Sequence, residues 1–353
     1  MSIRPSVRHE IMSLPDCLLS NHRNSYRLLK SGYLGEAPQG QTKMTRQLLT
    51  VFAVGLATFV VGFKLDHFHG FPVERSEISC WGRRLREDKT SKLIYGGQIV
   101  HKCQVPFYVY VPVQTRLANG REVNGTCGGI LLNSQWVLTN AHCLNRATRA
   151  ALWFGVTDTR TIYEDQNVQR RAIAKVVFHE GFNMSAGIVK NDLCLVKTSS
   201  PVDLNRAVGP VVISKSQSLF QDGMNYVVYG LGANGFDKDV YPIFDPELRY
   251  ANVPIIPRDR CKQLLDAISR GSRLEDTYFC AGFDHAGILY GDSGGPLTAG
   301  DGNVAVGMTQ ALMGFDNGTI ATQQSKYPAL FVTLKDYCDW LKTKSDNSFE
   351  CSS

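Results

Sequence analysis

The chain has 353 residues, of which 43% are hydrophobic and 20% charged, and its net charge is +6. That length and composition exclude a fibrous or wholly disordered protein and suggest two or three folding units. The basic excess is modest and forms no long run interleaved with aromatics, so nothing in it points to nucleic acid.

Residues 1–46 are polar and basic, with Arg4, Arg8, Arg23, Arg27, Lys30, Lys43 and Arg46 set against Glu10, Asp16 and Glu36. They show no periodicity and read as a disordered tail. An uncharged apolar run follows from Leu48 to Phe63, bounded by Arg46 and Lys64. After a basic flank, a run this short fits a secretory signal over residues 47–63, and Met44 offers a start of conventional shape. It also stands at the lower limit for a membrane span, which would make a type II anchor with the protein's bulk outside. Secretion is the first reading and anchoring the second. Residues 64–93 form a polar connector that ends in Gly82-Arg83-Arg84-Leu85-Arg86-Glu87-Asp88-Lys89, a stretch readily cut by proteases.

From Ile99 to Val211, short β-rich runs alternate with turns: Phe107–Val113, Gly129–Leu132, Trp136–Thr139 and Ala172–Phe178. Strands at this spacing suggest an all-β barrel or sandwich. Near the end, Leu334–Leu341 has helical spacing. Ten cysteines without a single Cys-x-x-Cys pair favour disulfides in an oxidising compartment over a metal site. Sequons at Asn124, Asn183 and Asn317 agree with export.

Chemistry concentrates at Gly291-Asp292-Ser293-Gly294-Gly295-Pro296. A serine between glycines presents its hydroxyl with little crowding, and glycine lets adjacent N–H groups turn toward one point. Acyl transfer needs that combination of a nucleophilic oxygen and donors for a developing oxyanion. Alone, such a cluster is usually a polar turn. Its context is what matters: Thr139-Asn140-Ala141-His142-Cys143 and Asn191-Asp192-Leu193-Cys194-Leu195 lie upstream, in the chain order His, Asp, Ser. An α/β-hydrolase esterase needs Ser before Asp before His, so that reading fails on order.

On these motifs the chain resembles the trypsin/chymotrypsin family of serine proteases, from about Ile94 to Lys342. The resemblance implies two six-stranded antiparallel β-barrels at about 94–211 and 224–333 within a protease domain of 94–345, a C-terminal helix at 334–343 and a tail at 346–353. It casts Ser293 as nucleophile, His142 as general base and Asp192 as the carboxylate that orients the imidazole, with Gly291 and Ser293 N–H groups as the oxyanion hole. It implies disulfides Cys127–Cys143 and Cys261–Cys280 and leaves Cys194 and Cys338 either paired or simply packed. A Cys80–Cys103 bridge would tether the connector after cleavage, although Cys17, Cys80, Cys103 and Cys351 have no pairing that spacing can fix. Ile94-Tyr95-Gly96-Gly97 is similar to the start of the family's mature enzymes, whose freed amino group pairs with the carboxylate next to the nucleophile, here Asp292.

Several positions depart from the family pattern. Leu93 precedes Ile94, where most members have Arg or Lys, so either the activator prefers apolar residues, or activation needs trimming, or the chain is never activated; the first is the expectation, with self-cleavage as a hypothesis. Gly287, followed by Ile288, stands six residues before the serine, where trypsin-like enzymes place an aspartate. With Tyr290, Leu312 and Ala329 these residues form the expected specificity pocket, which lacks a counter-charge for Arg or Lys. Apolar primary specificity is expected. The pocket disulfide is lost with both its partners, since Leu289 occupies one cysteine position and Gln310–Tyr327 contains no cysteine. Glu164 and Asp165 lie roughly where some relatives bind calcium, but two loop acids read better as solvated, so no metal and no cofactor are expected. Expected partners are protein or peptide substrates, an activating protease and protein inhibitors. The alternative is a catalytically silent homologue acting as a binding or regulatory partner.

Overall fold

The computed structural model describes residue 94 and residues 97–184, 189–221, 224–237, 241–269, 273–300, 302–313 and 319–353. The N-terminal tail, the apolar run at 47–63, the connector 64–93 and the Asn317 sequon lie outside the described residues. After β1 (Gln98–Ile99), the first sheet contains β2 (Tyr108–Arg116), β3 (Glu122–Leu131), β4 (Trp136–Thr139), β5 (Ala147–Ala150), β6 (Leu152–Phe154), β7 (Gln169–Arg171), β8 (Ile173–Phe178) and β9 (Cys194–Thr198). Its order is β7-β6-β2-β3-β4-β9-β8, with β5 also on β2, and every pairing is antiparallel. The second sheet adds β10 (Val212–Ile213), β11 (Asn225–Gly230), β14 (Arg249–Ile256), β15 (Tyr278–Ala281), β16 (Pro296–Ala299), β17 (Val304–Leu312) and β18 (Ala329–Thr333). Its order β1-β14-β11-β16-β17-β18-β15 closes on itself through a β14–β15 pairing, so it is a barrel without a free edge there. A separate hairpin joins β12 (Ala233–Phe236) to β13 (Pro242–Phe244).

The architecture is the expected pair of barrel-like antiparallel sheets. Each sheet counts eight strands and not six, for identifiable reasons. β5 and β6 pair with successive parts of β2 in one continuous register and so count as two strands where one interrupted strand would serve, and the two-residue strand β10 adds to β17 in parallel.

Strand periodicity decides where the cores lie. Side chains alternate faces along a strand, and in β2 this sends Val109 and Val111 into one cluster while Tyr108 and the partly buried Tyr110 join another. The first cluster, with Leu131, Val137, Phe154 and Val196, fills the first barrel. In β11, Tyr226 and Val228 fill the second barrel, while Val227 and Tyr229 turn to the shared cluster. That shared cluster contains Tyr108, Ile130, Leu138 and Leu195 from one sheet and Tyr229, Tyr250 and Met308 from the other. The facing strands are apolar on both sides because one side fills a barrel and the other glues the barrels together.

Among the described residues there are four helices: α1 (Ala141–Asn145), α2 (Arg258–Ile268), α3 (Thr319–Thr322) and α4 (Cys338–Lys344). A 3-10 turn at Leu334–Tyr337 leads into α4, so the helical segment expected at 334–343 is divided between two geometries. Among the described residues, no helix is long and apolar enough to cross a membrane.

Three disulfides join described cysteines. Cys127–Cys143 and Cys261–Cys280 have Cα separations of 6.4 and 5.8 Å, within the usual range. Cys338 pairs with Cys351 and pins the C-terminal tail to α4. Cys194 is therefore not its partner; it stays a free thiol, fully buried, with its pKa pushed up by burial and by the nearby Asp192 charge. Cys103 is also disulfide-bonded, while Cys80, proposed as its partner, lies outside the described residues.

Candidate active site

The site forms where the barrels meet. Strand β4 is buried along its whole length and runs directly into α1, so His142 is delivered from rigid backbone. The Cys127–Cys143 bridge ties the residue after His142 back to β3. Asp192 precedes β9, the neighbour of β4, and is completely buried. Its carboxylate accepts twice from His142: from the backbone N–H at 2.9 Å and from Nδ1 at 2.6 Å. The first bond fixes the carboxylate relative to α1, and the second fixes the ring and leaves Nε2, 3.7 Å from Cys143 Sγ, as the nitrogen without the proton.

Asn140, part of the histidine motif but given no role there, and Tyr278, outside every motif, hold Asp192 in place. Asn140 Nδ2 donates to the Asp192 carbonyl at 2.7 Å, and the Asp192 N–H donates to the Tyr278 hydroxyl at 3.2 Å. That hydroxyl in turn donates to Val189 O at 2.9 Å. Burial, with the Asp192 charge nearby, pushes the Tyr278 pKa up, so the phenol remains a donor. Tyr278 lies 86 residues from Asp192 in sequence, and no local signal marks it.

Ser293 reaches the site from the second barrel. Gly128 N–H donates to Ser293 O at 2.7 Å across the barrel boundary, and Thr139 Oγ1 donates to Gly128 O at 2.7 Å. A Cβ on Gly128 would lie 2.8 Å from Gly295 Cα, so this close approach admits only glycine. Gly291 and Gly294 have φ of +95° and +83°, the left-handed region that glycine enters freely. Among the described residues, no acceptor engages the N–H of Gly291 or of Ser293. The Ser293 hydroxyl donates to Gln310 O at 3.3 Å, and no hydrogen bond joins it to His142.

Asp292 points away from the Ser293 hydroxyl into a fully buried niche. Its two carboxylate oxygens accept from Gly232 N and Leu289 N, both at 2.8 Å. Burial raises its pKa to about 7, against the lowering by those two N–H groups. Two glycines make room for it, because a Cβ on Gly230 or Gly232 would run into the carboxylate. The Ile94 side chain is also buried, 3% exposed, in the core of the second barrel.

The expected pocket residues do come together. Leu312 pairs with Ala329 across β17 and β18. Ile288 and Ala329 share the second-barrel core, and Leu312 packs against that core and against the small cluster of Leu289 and Tyr290. None of these residues is ionisable except Tyr290. Asp284, the nearest aspartate in sequence, is engaged elsewhere, accepting from Ser325 N at 3.0 Å. Gln324, which no motif marks, lies under Gly287 and donates from Nε2 to Ile288 O at 2.7 Å.

Of the remaining candidates, Asn124 and Asn183 are exposed. Cys127, His142 and Cys143 cluster as metal ligands would, but both sulfurs are committed to the disulfide. Asp165 takes the Lys102 ammonium at 2.7 Å and both the N–H and Nδ2 of Asn167 at 3.0 Å, so its oxygens are already filled by cationic and amide donors.

Comparison with known proteins agrees with the geometry. The Trypsin family model matches residues 94–341. Trypsin I-P38 of Gallus gallus is 28% identical over 72% of this chain and 90% of its own length. Kallikrein 1-related peptidase b8 of Mus musculus is 30% identical over 63% of this chain and 81% of its own. Serine proteinase stubble of Drosophila melanogaster is 28% identical over 61% of this chain but only 26% of its own. Among solved structures, mouse neuropsin, a serine protease expressed in the limbic system of the brain, superposes with a TM-score of 0.58 at 21% identity, covering 71% of this chain and 99% of that one. The chain belongs to the trypsin family and is a serine-type endopeptidase.

Proposed function

We propose that the chain hydrolyses peptide bonds with His142, Asp192 and Ser293, after cleavage before Ile94, and that it prefers uncharged apolar residues on the acyl side of the scissile bond. The observation that carries the catalytic part is the double acceptance by a fully buried Asp192 carboxylate from His142 N and Nδ1. Substrate binding turns the Ser293 hydroxyl from Gln310 O toward Nε2 of His142, which takes its proton as Oγ attacks the carbonyl. The oxyanion is met by the free N–H groups of Gly291 and Ser293, each donor worth roughly 3–4 kcal/mol in the transition state. His142 then returns the proton to the leaving amine, and water repeats the cycle on the acyl-enzyme.

Activation follows from the state of Asp292. A buried carboxyl with two N–H donors and a pKa near neutrality calls for a cation. The ammonium released at Ile94 is the group that would supply it, and the pairing would order Gly291–Ser293. Because Leu93 precedes the cut, the activator accepts an apolar residue, and the enzyme itself qualifies. Disulfides form and persist in oxidising compartments, and the three bridges support secretion or an extracellular domain behind an N-terminal anchor.

Specificity is the part most open to a direct test. Protein cut to begin at Ile94 is given matched peptides with Leu, Phe, Ala, Arg or Lys before the scissile bond. Higher kcat/KM for the apolar set, abolished by His142→Ala, is expected. Faster turnover of Arg or Lys overturns the pocket reading.

A further inference from the structure

We infer that Gln324 supplies the floor of the substrate pocket, and that its side-chain carbonyl selects uncharged substrate side chains ending in an N–H or O–H donor. The inference deepens the specificity proposed above and rests on that reading of Gly287 as the pocket base.

The amide is fully buried, with no exposed surface. One half of it is satisfied: Nε2 donates to Ile288 O at 2.7 Å. That bond fixes the orientation, because a flipped amide would set two carbonyl oxygens against each other. The other half is not. Oε1 is buried and has no hydrogen-bond partner among the described residues. Its position is informative. A Cβ built on Gly287 would collide with Oε1, so the amide carbonyl occupies the space in which a side chain at 287 would begin. The rest of the segment is braced to hold it there. Gly282 packs against the Gln324 backbone and Cβ, His285 N donates to Thr322 O at 3.1 Å, and Asp284 accepts from Ser325 N at 3.0 Å.

A buried carbonyl without a donor costs free energy that a substrate group can recover. A hydrocarbon side chain seated against Oε1 leaves it without a donor. A glutamine amide or a tyrosine hydroxyl returns a hydrogen bond. Lysine and arginine also carry donors, but one neutral carbonyl does not offset the burial of a full charge. Glutamate meets an acceptor with an acceptor. Sites built to bond a substrate OH or NH discriminate strongly against the analogue that lacks it, whereas a methylene more or less matters little.

The test uses two nearly isosteric pairs before the scissile bond, Gln against Met and Tyr against Phe, with Leu as reference, on protein cut to begin at Ile94. The donor-bearing member of at least one pair is expected to exceed its partner by about tenfold in kcat/KM. In Gln324→Met, which keeps the volume and loses the acceptor, that ratio is expected to fall to near one. Gln324→Ala serves if the methionine variant does not fold. Equal rates within both pairs, alongside ready cleavage of the Leu peptide, overturn the role of Gln324 and leave the apolar pocket standing. Fastest turnover of an Arg or Lys control brings down the pocket reading and this inference with it. A ratio unchanged by Gln324→Met overturns the assignment to this residue.

Discussion

While the bond before Ile94 is intact, raising the pH from mildly acidic to neutral is expected to destabilise the fold through Asp292. Its pKa stands at about 7 in the folded chain, against 3.8 for a free carboxyl, because burial outweighs two backbone donors. For an acid the upward shift means that the folded state holds its proton after the unfolded state has released it. Stability is therefore full below about pH 4, falls as pH rises toward 7, and levels off above. The shift amounts to about 4 kcal/mol across that window, a large share of a domain's net stability. The assay is guanidinium unfolding at a series of pH values, disulfides intact, in a Ser293→Ala background to prevent self-cutting. Asp292→Asn in the same background keeps the shape and removes the titration. Other carboxylates contribute to both curves and cancel in the difference. The wild-type curve is expected to lose stability relative to the asparagine variant between pH 4 and 7. After cleavage frees the Ile94 ammonium, the trend is expected to reverse, because a paired carboxylate is stabilising when ionised. Parallel profiles for the two uncut proteins would refute the reasoning, since they would mean that Asp292 ionises without penalty.

Other expectations are simpler to state. Replacing both Cys127 and Cys143 with alanine opens a loop with a sequence separation of 16 and should cost about 3 kcal/mol by denaturant unfolding. Tyr278→Phe leaves Asp192 N and Val189 O without their shared hydroxyl; a loss of about 1–3 kcal/mol is expected, with a lower kcat on apolar peptides. Gly287→Asp should destabilise without creating Arg or Lys cleavage, because Gln324 Oε1 fills the space and the backbone at 287 has a φ of +157°; Gln324→Ala should relieve the collision but not the backbone strain, so the double variant should recover stability only in part, read by denaturant unfolding. An uncut chain that matures in isolation should stop doing so as Ser293→Ala, and continued maturation of that variant would eliminate self-cleavage.

What the sequence made legible was local. The segments around His142, Asp192 and Ser293 each carry their own short motif, and the cysteines beside His142 mark a loop that needs bracing. Cys261, Leu264, Leu265 and Ile268 stand at helical spacing, so α2 too has a local signal in the sequence. What stayed hidden was long-range. Tyr278 supports Asp192 across 86 residues, and Gln324 meets Gly287 only through the folding of the β17–β18 connection. Neither belongs to a motif, and a buried acceptor without a partner exists only in three dimensions. Cys338–Cys351 likewise follows from where the tail lies over α4 and not from cysteine spacing, which allows many pairings.

The central claim is that Ser293 becomes a competent nucleophile when Ile94 is freed. The most direct measurement engineers a cleavable site ending at Leu93 and exposes cut and uncut protein to a fluorophosphonate probe, with Ser293→Ala as control. The labelled peptide is then identified by mass spectrometry. Strong labelling of Ser293 in the cut wild type, with little in the uncut chain and none in the variant, is the predicted result. Absence of labelling in folded protein with a correct Ile94 terminus would contradict the account and favour a homologue that binds without cutting.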